Sequence, residues 1–407
     1  MQAQIVRICF PFAGDIVGGS HLSVLGLLRN LDRSRFHPVV VPQRSDGAIA
    51  SLFREHGLNT ETPLRWAELP YDTKVGAGRA LGLLRNIVPQ VRYLRAANFQ
   101  IVHTNDGRTH ATWGPAAKLS GAKLLWHQRG DPNAAGLRFV APLLADQVVA
   151  VSNFAAPKPG MWSAARKTSV IHSPFSTDVI EDRAEVRAAL IREIGCDPAT
   201  VFIGFFGAFS RRKRPHLFID AIAELAGRRL SRPVMGLMFG EAYDEGRTEQ
   251  DLLRHAAEKG VADRVRQMGF RTPGTRWLAG CDMLLVPAVG EPFGRTLIEA
   301  MLVGTPVIAT ASGGNIEALR GSSIGRLVPP EDPKALADAA AILIDWPEAA
   351  RVMAAAAAAD ARNRFGEERH ARQIMSLYDE LLRLPFAGDA AAQTTFPSPA
   401  SREGTAI

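Results

Sequence analysis

Glu291 and Glu299 stand eight positions apart in the run GEPFGRTLIEA. The turn formers Gly290, Pro292 and Gly294 place the first carboxylate at a loop-to-helix junction, and the spacing predicts the second two turns into the helix. Both then face one small polar ligand, beside helix N-terminal amides that favour anions and hydroxyl-rich molecules. Two glutamates at that spacing on an amphipathic helix are more often a solvated stripe. The pair therefore gains meaning only from neighbours that share its chemistry.

Several such neighbours exist. Gly207-Ala208-Phe209-Ser210-Arg211-Arg212-Lys213-Arg214-Pro215 joins an apolar strand to a helical run, putting four cations where a strand ends and a helix begins. That arrangement suits a diphosphate, since like charges packed so closely repel unless an anion joins them. A phosphate loop of the G-x-x-x-x-G-K-[ST] type is absent. Gly313-Gly314-Asn315-Ile316-Glu317 follows another strand, and its amides are expected to face the same cleft as Glu291. Gly18-Gly19-Ser20 opens the first helix, either as a simple entry turn or as backbone that an anion or sugar can approach closely, without the spacing of a dinucleotide fingerprint.

His103, Asn105 and Asp106 close one predicted strand, and His127, Gln128, Arg129 and Gly130 close the next. Polar groups at strand C-terminal ends face the crevice of an open α/β sheet, so the two clusters read as a binding pocket. Taken with Lys213, Glu299 and the glycine turns, the ligand is a nucleoside diphosphate: phosphates on cations and amides, ribose hydroxyls on a carboxylate.

The elements that position these residues alternate short apolar runs with helical patterns, the signature of parallel sheets with crossover helices. Strands are predicted at residues 5–10, 38–41, 100–103, 124–127, 148–151 and 169–172. A second set falls at 201–206, 234–239, weakly near Val265, 283–286, 307–309 and 325–328. A polar, extended stretch at 173–182 separates the sets, which predicts two Rossmann-like domains, 1–173 and 174–364, with a hinge and a cleft between them. Helices follow at 349–364 and 367–384, the second (365–385) predicted to return to the N-terminal domain, and residues 386–407 are expected to be disordered.

The chain of 407 residues is 46% hydrophobic and 22% charged, an ordinary globular balance. Three scattered cysteines suit neither a disulfide framework nor a zinc site, and no run is long and apolar enough to span a bilayer, so a cytoplasmic protein is expected. The net charge of +7 predicts attraction to something acidic. Part of it lies on Arg85, Arg92 and Arg95, which share one helical face: more often such a face is merely solvated, and the sharper reading is a surface for anionic membrane headgroups or a polyanionic acceptor. Nucleic acid is disfavoured, because aromatics make up 7% and do not interleave with the basic residues.

The order GAFSRRKRP, GEPFGRTLIEAM, GTPVIAT, SGGNIEAL resembles the retaining glycosyltransferases of family 4, with similarity from the N-terminus to about Leu384. The resemblance implies the GT-B fold, α/β with two Rossmann-like domains whose parallel sheets face a central cleft. It implies a nucleotide-sugar donor on the C-terminal domain and a glycan or lipid-linked acceptor on the N-terminal one, in cell-envelope polysaccharide or glycoconjugate synthesis, with no metal and no other cofactor. Carried over, Glu299 takes the ribose, Glu291 the sugar hydroxyls, Lys213 with Arg212 the diphosphate, and Gly19 approaches the phosphates. His127 lies near the sugar, so His127, Glu291 and Lys213 form the implied catalytic set. Phe293, Gly294, Thr296 and Leu297 add donor contacts, Gly269 and Phe270 hold the base, and His103, Asp106 and Arg129 serve the acceptor side. Two departures stand out: Ala208 replaces a common phosphate-binding arginine, and His172-Ser173-Pro174 replaces the usual Asn-Gly at the hinge. The competing readings are a sugar-nucleotide phosphorylase or epimerase, and a non-enzymatic polyanion-binding protein.

Overall fold

The computed structural model describes residues 5–62, 64, 66, 77–242 and 248–383. Their strands make two six-stranded sheets, and every strand pairing is parallel. The first sheet contains β1 (Val6–Phe12), β2 (Phe36–Pro42), β3 (Ile101–Thr104), β4 (Lys123–Gln128), β5 (Gln147–Ala150) and β6 (Thr168–Val170), in the order β2-β1-β3-β4-β5-β6. The second contains β7 (Val201–Phe206), β8 (Val234–Phe239), β9 (Val265–Gly269), β10 (Met283–Val286), β11 (Val307–Thr310) and β12 (Arg326–Val328), in the order β12-β11-β10-β7-β8-β9. Runs such as VFIGFF in β7 are apolar on both faces because helices cover both, which is what a parallel sheet requires.

All the expected strands are present within a residue or two of their predicted bounds. The weakest, at Val265, is the edge strand β9, which has one neighbour and carries the adjacent polar residues Arg266 and Gln267.

Strand order fixes where a ligand can sit. In the second sheet the chain leaves β7 towards β8 on one side and later returns to place β10 on the other. The loops after β7 and β10 therefore diverge at a topological switch point, the crevice where α/β sheets take ligands. The first sheet has its own switch point between β1 and β3.

The helix Glu367–Leu382 packs on the first sheet, not the second. Its Ala371, Ile374, Leu377 and Tyr378 join the buried cluster of Phe10, Phe36, Leu125 and Val149. The linker at 173–182 is less polar in its surroundings than its composition suggests. Phe175 is buried, its amide donates to the Phe365 carbonyl at 2.8 Å, and its ring sits among Phe293 and Phe365.

Residues 386–407 and 67–76 lie outside the described residues. Among the described residues no helix is long and apolar enough to cross a membrane. Arg85, Arg92 and Arg95 are exposed on the helix Ala77–Ala96, although Arg95 also donates to the Leu119 carbonyl at 2.7 Å and so ties down the neighbouring helix end.

Candidate functional site

The loops after β7 and β10 meet at the second switch point. Lys213 Nζ lies 2.9 Å from Glu291 Oε2, and Arg212 Nε lies 3.7 Å from the same oxygen. Lys213 Nζ is the nearest cation to this buried oxygen, and a carboxylate oxygen with one such partner keeps a lone pair for a ligand. Burial pushes the Glu291 carboxyl up, but Lys213 first and Arg212 second outweigh it and hold the acid below its ordinary range. The remaining cations of the loop turn elsewhere: Arg214 pairs with Glu331 at 2.5 Å, and Arg211 is exposed. Four cations awaiting one anion is therefore the wrong picture; the chain itself answers three of them, Arg212 and Lys213 with Glu291 and Arg214 with Glu331.

The turn Gly313-Gly314 has a different job from the one expected. Its Gly314 amide donates to the Glu291 carbonyl at 2.7 Å, and a Cβ on Gly313 would stand 2.4 Å from that same carbonyl oxygen. The turn buttresses Glu291 from behind, and the Gly314 amide is taken up by that carbonyl. The helix after it, Asn315–Ala318, is too short for an N-terminal anion site.

Gly294 is the left-handed N-cap of the helix Arg295–Leu302, with φ 79°. Glu299 thus stands in the second turn, nearer the junction than predicted. Its carboxylate is a quarter exposed and lies 3.5 Å from Arg295, so the two glutamates do not pair with the same cation. Thr296 is half-buried, whereas Leu297 and Phe293 are core residues, leaving only their backbone for a ligand. Ala208 is exposed. Gly269 ends β9 and its carbonyl accepts from the Gly240 amide at 3.0 Å, with the Phe270 ring 69% exposed beside it.

On the opposite wall, Gly19 opens the helix Gly19–Arg29, whose first amides have no intrahelical partner. A Cβ here would meet Arg295 Cδ at 2.5 Å, so the glycine is needed for the arginine to cross from the other half. Arg295 then donates to Ser23 Oγ at 2.8 Å and to the Pro174 carbonyl at 3.2 Å, with its guanidinium 4.2 Å from the Phe175 ring centre.

His127 is fully buried near the end of β4 and bonded through Nδ1 to His103 Nε2 at 3.1 Å and to Arg129 at 3.3 Å. Burial first, then Arg129, drives the His127 pKa well below its ordinary value. His103 is equally buried and holds Tyr378 at 2.7 Å, so it stands behind His127 and does not face an acceptor. Asp106 is not an open acceptor group either. It caps the helix Gly107–Ser120 by accepting from the amides of Arg108 and Thr109. Arg129 does stay at the cleft, bonded to Asn105 and Ser173, and burial with Arg295 nearby pulls its pKa down to about 9.

The hinge residues that departed from expectation have partners in both halves. Ser173 accepts from Arg129, Pro174 from Arg295, and His172 Nε2 lies 2.7 Å from Glu317. Glu317 also takes the amide of Asn153 at 2.8 Å and its side chain at 2.9 Å, while the Ser152 hydroxyl donates to the Pro292 carbonyl. Sequence reading passed over Arg295, Glu317 and Tyr378. For Arg295 a signal existed, since it stands four residues before Glu299 on the same helix face. For the other two, partners lie far off in the chain. Among the described residues no group of three histidine, cysteine or acidic side chains is placed to hold a metal ion.

The sequence and the fold both have counterparts among known proteins. Residues 200–345 match the family described as glycosyl transferases group 1. Over 208 residues the chain is 35% identical to a lipopolysaccharide core biosynthesis mannosyltransferase of Rhizobium meliloti, covering 50% of this chain and 57% of that one. Over 202 residues it is 33% identical to a D-inositol 3-phosphate glycosyltransferase of Corynebacterium urealyticum, covering 49% and 47%. The chain thus spans about half the length of these relatives. In structure it superposes on Anabaena Alr3699/HepE in complex with UDP and glucose (TM-score 0.76, 23% identity, 92% of this chain and 99% of that one). Sucrose-phosphate synthase from Thermosynechococcus elongatus gives a TM-score of 0.72 at 20% identity, over 93% and 99%. Residues 200–345, which carry Lys213 and Glu291 on the switch-point loops, thus match the glycosyl transferases group 1 family, and the two parallel sheets share the GT-B fold of the solved structures on which the chain superposes.

Proposed function

We propose that this protein transfers a sugar from a nucleoside diphosphate donor to a hydroxyl of a glycan or lipid-linked acceptor, with retention of configuration and without a metal ion. The observation that carries the reading is the meeting of Lys213 and Glu291 at the switch point of the second sheet. Departure of a nucleoside diphosphate develops negative charge, and Lys213 with Arg212 supplies fixed cations where that charge grows. Glu291, held ionised and clasped by those cations, orients sugar hydroxyls through Oε2 while the acceptor hydroxyl attacks from the leaving-group face. Glu299 takes the ribose, and His127 with Arg129 borders the sugar and acceptor.

The names of the relatives, in lipopolysaccharide core and inositol phosphate glycosylation, and the UDP and glucose in the HepE complex support this substrate class. Envelope glycoconjugate synthesis at the inner membrane face is the matching setting. Exposed Leu84 and Val88 beside Arg85 and Arg92 give the helix Ala77–Ala96 a surface suited to anionic headgroups.

A thermal-shift panel of UDP-, GDP- and ADP-sugars tests the donor. One donor should raise the melting temperature, and none doing so overturns the reading. Turnover that requires an added acceptor separates transfer from a phosphorylase or epimerase reaction.

A further inference from the structure

Three buried side chains behind the cleft form a chain of hydrogen bonds whose direction can be worked out. Arg129 has only donors, and its Nη2 lies 3.3 Å from His127 Nδ1. That nitrogen must therefore be a lone-pair acceptor, which puts the proton of the neutral imidazole on Nε2. His103 Nε2 lies 3.1 Å from the same Nδ1 and so must also donate. The proton of His103 is then on Nε2, its Nδ1 is an acceptor, and the Tyr378 hydroxyl at 2.7 Å donates to it. Every link runs one way, from the helix Glu367–Leu382 through β3 to the end of β4.

The far end of the chain is His127 Nε2–H, a donor that is buried and meets no protein partner. Leaving such a group unsatisfied costs free energy, so its retention calls for a role, and a substrate oxygen would complete it. His370 stands beside it with ring centres 6.0 Å apart, its Nδ1 donating to the His172 carbonyl at 2.8 Å. It cannot displace Arg129 or His103 from His127 Nδ1.

We infer that Tyr378 is a positioning residue that, through His103, holds His127 as the Nε2–H tautomer, so that His127 serves as a neutral hydrogen-bond donor to a substrate oxygen and not as a base. The inference rests on the reading of the cleft as a glycosyl-transfer site. It adds that a residue of the C-terminal helix sets the chemistry of a residue in the N-terminal sheet. With Nδ1 occupied by two donors and Nε2 already protonated, His127 has no lone pair with which to take the acceptor's proton.

The test uses the full chain labelled with 15N-histidine, the His127 signals being assigned by their loss in His127→Gln. Long-range 1H–15N spectra distinguish the two neutral tautomers, and wild type should show His127 protonated at Nε2. Protonation at Nδ1 overturns the inference whether or not the protein transfers sugar. Tyr378→Phe keeps the ring against Phe36 and removes only the hydroxyl. It should release the His103 and His127 tautomers into exchange and lower kcat about tenfold, the worth of one hydrogen bond, with donor KM unchanged. A variant whose tautomers and kcat per folded molecule match wild type overturns the inference, even if its melting temperature falls. If wild type transfers no sugar, the functional reading fails while the spectra still decide the chain.

Discussion

Lys213 Nζ and Glu291 Oε2 stand 2.9 Å apart at the switch point of the second sheet, each the other's main counterion. Both side chains are largely buried, so removing one partner strands the other. Lys213→Ala should cost about 3 kcal/mol of stability and weaken donor binding. Lys213→Ala combined with Glu291→Gln should regain most of that stability without regaining the donor, as measured by urea unfolding and donor titration. A double variant no more stable than the single would refute the pairing.

Glu317 ties the loop after β5 and the hinge to the C-terminal half through Asn153 and His172. Burial pushes its carboxyl up, but the His172 and Asn153 hydrogen bonds outweigh this and hold it low, hence ionised. Glu317→Gln should loosen the two halves. Solution scattering should show a larger radius of gyration, and donor affinity should drop several-fold; an unchanged radius would count against the tie.

His21, His110 and His370 have pKa values lowered from 6.5 to about 4, 3 and 3, in each case chiefly by burial. A folded-state pKa below the unfolded one means the folded form binds fewer protons. Stability is then complete above about pH 6.5 and falls as the pH drops from there towards 3. At pH 5 each of these imidazoles should cost on the order of 2 kcal/mol relative to pH 7. Melting temperature should therefore decline steeply between pH 6.5 and 5, and a flat profile across that window would mean the histidines are not buried as described.

Ile374, on the helix that crosses back to the first sheet, is fully buried against it. Ile374→Ala should destabilise the N-terminal half by roughly 2–4 kcal/mol. Urea denaturation followed on that half would show it, and a loss below about 1 kcal/mol would mean the helix is docked only loosely.

The sequence alone determined the places of all the strands, the presence of two parallel sheets, and the loops that carry the chemistry. Those follow from apolar runs, glycine turns and helix caps, which act within a few residues of one another. It also singled out Lys213, Glu291 and His127, because polar groups at strand ends have few structural duties. Partner choice was left to the tertiary structure. Only there does Glu291 meet Lys213, Gly314 brace Glu291 from behind, Asp106 turn out to be a helix cap, His103 stand between Tyr378 and His127, and Arg295 reach across to Gly19. A buried charge or imidazole is satisfied by whichever group lies within about 3 Å, and strand order, not sequence spacing, sets which group that is.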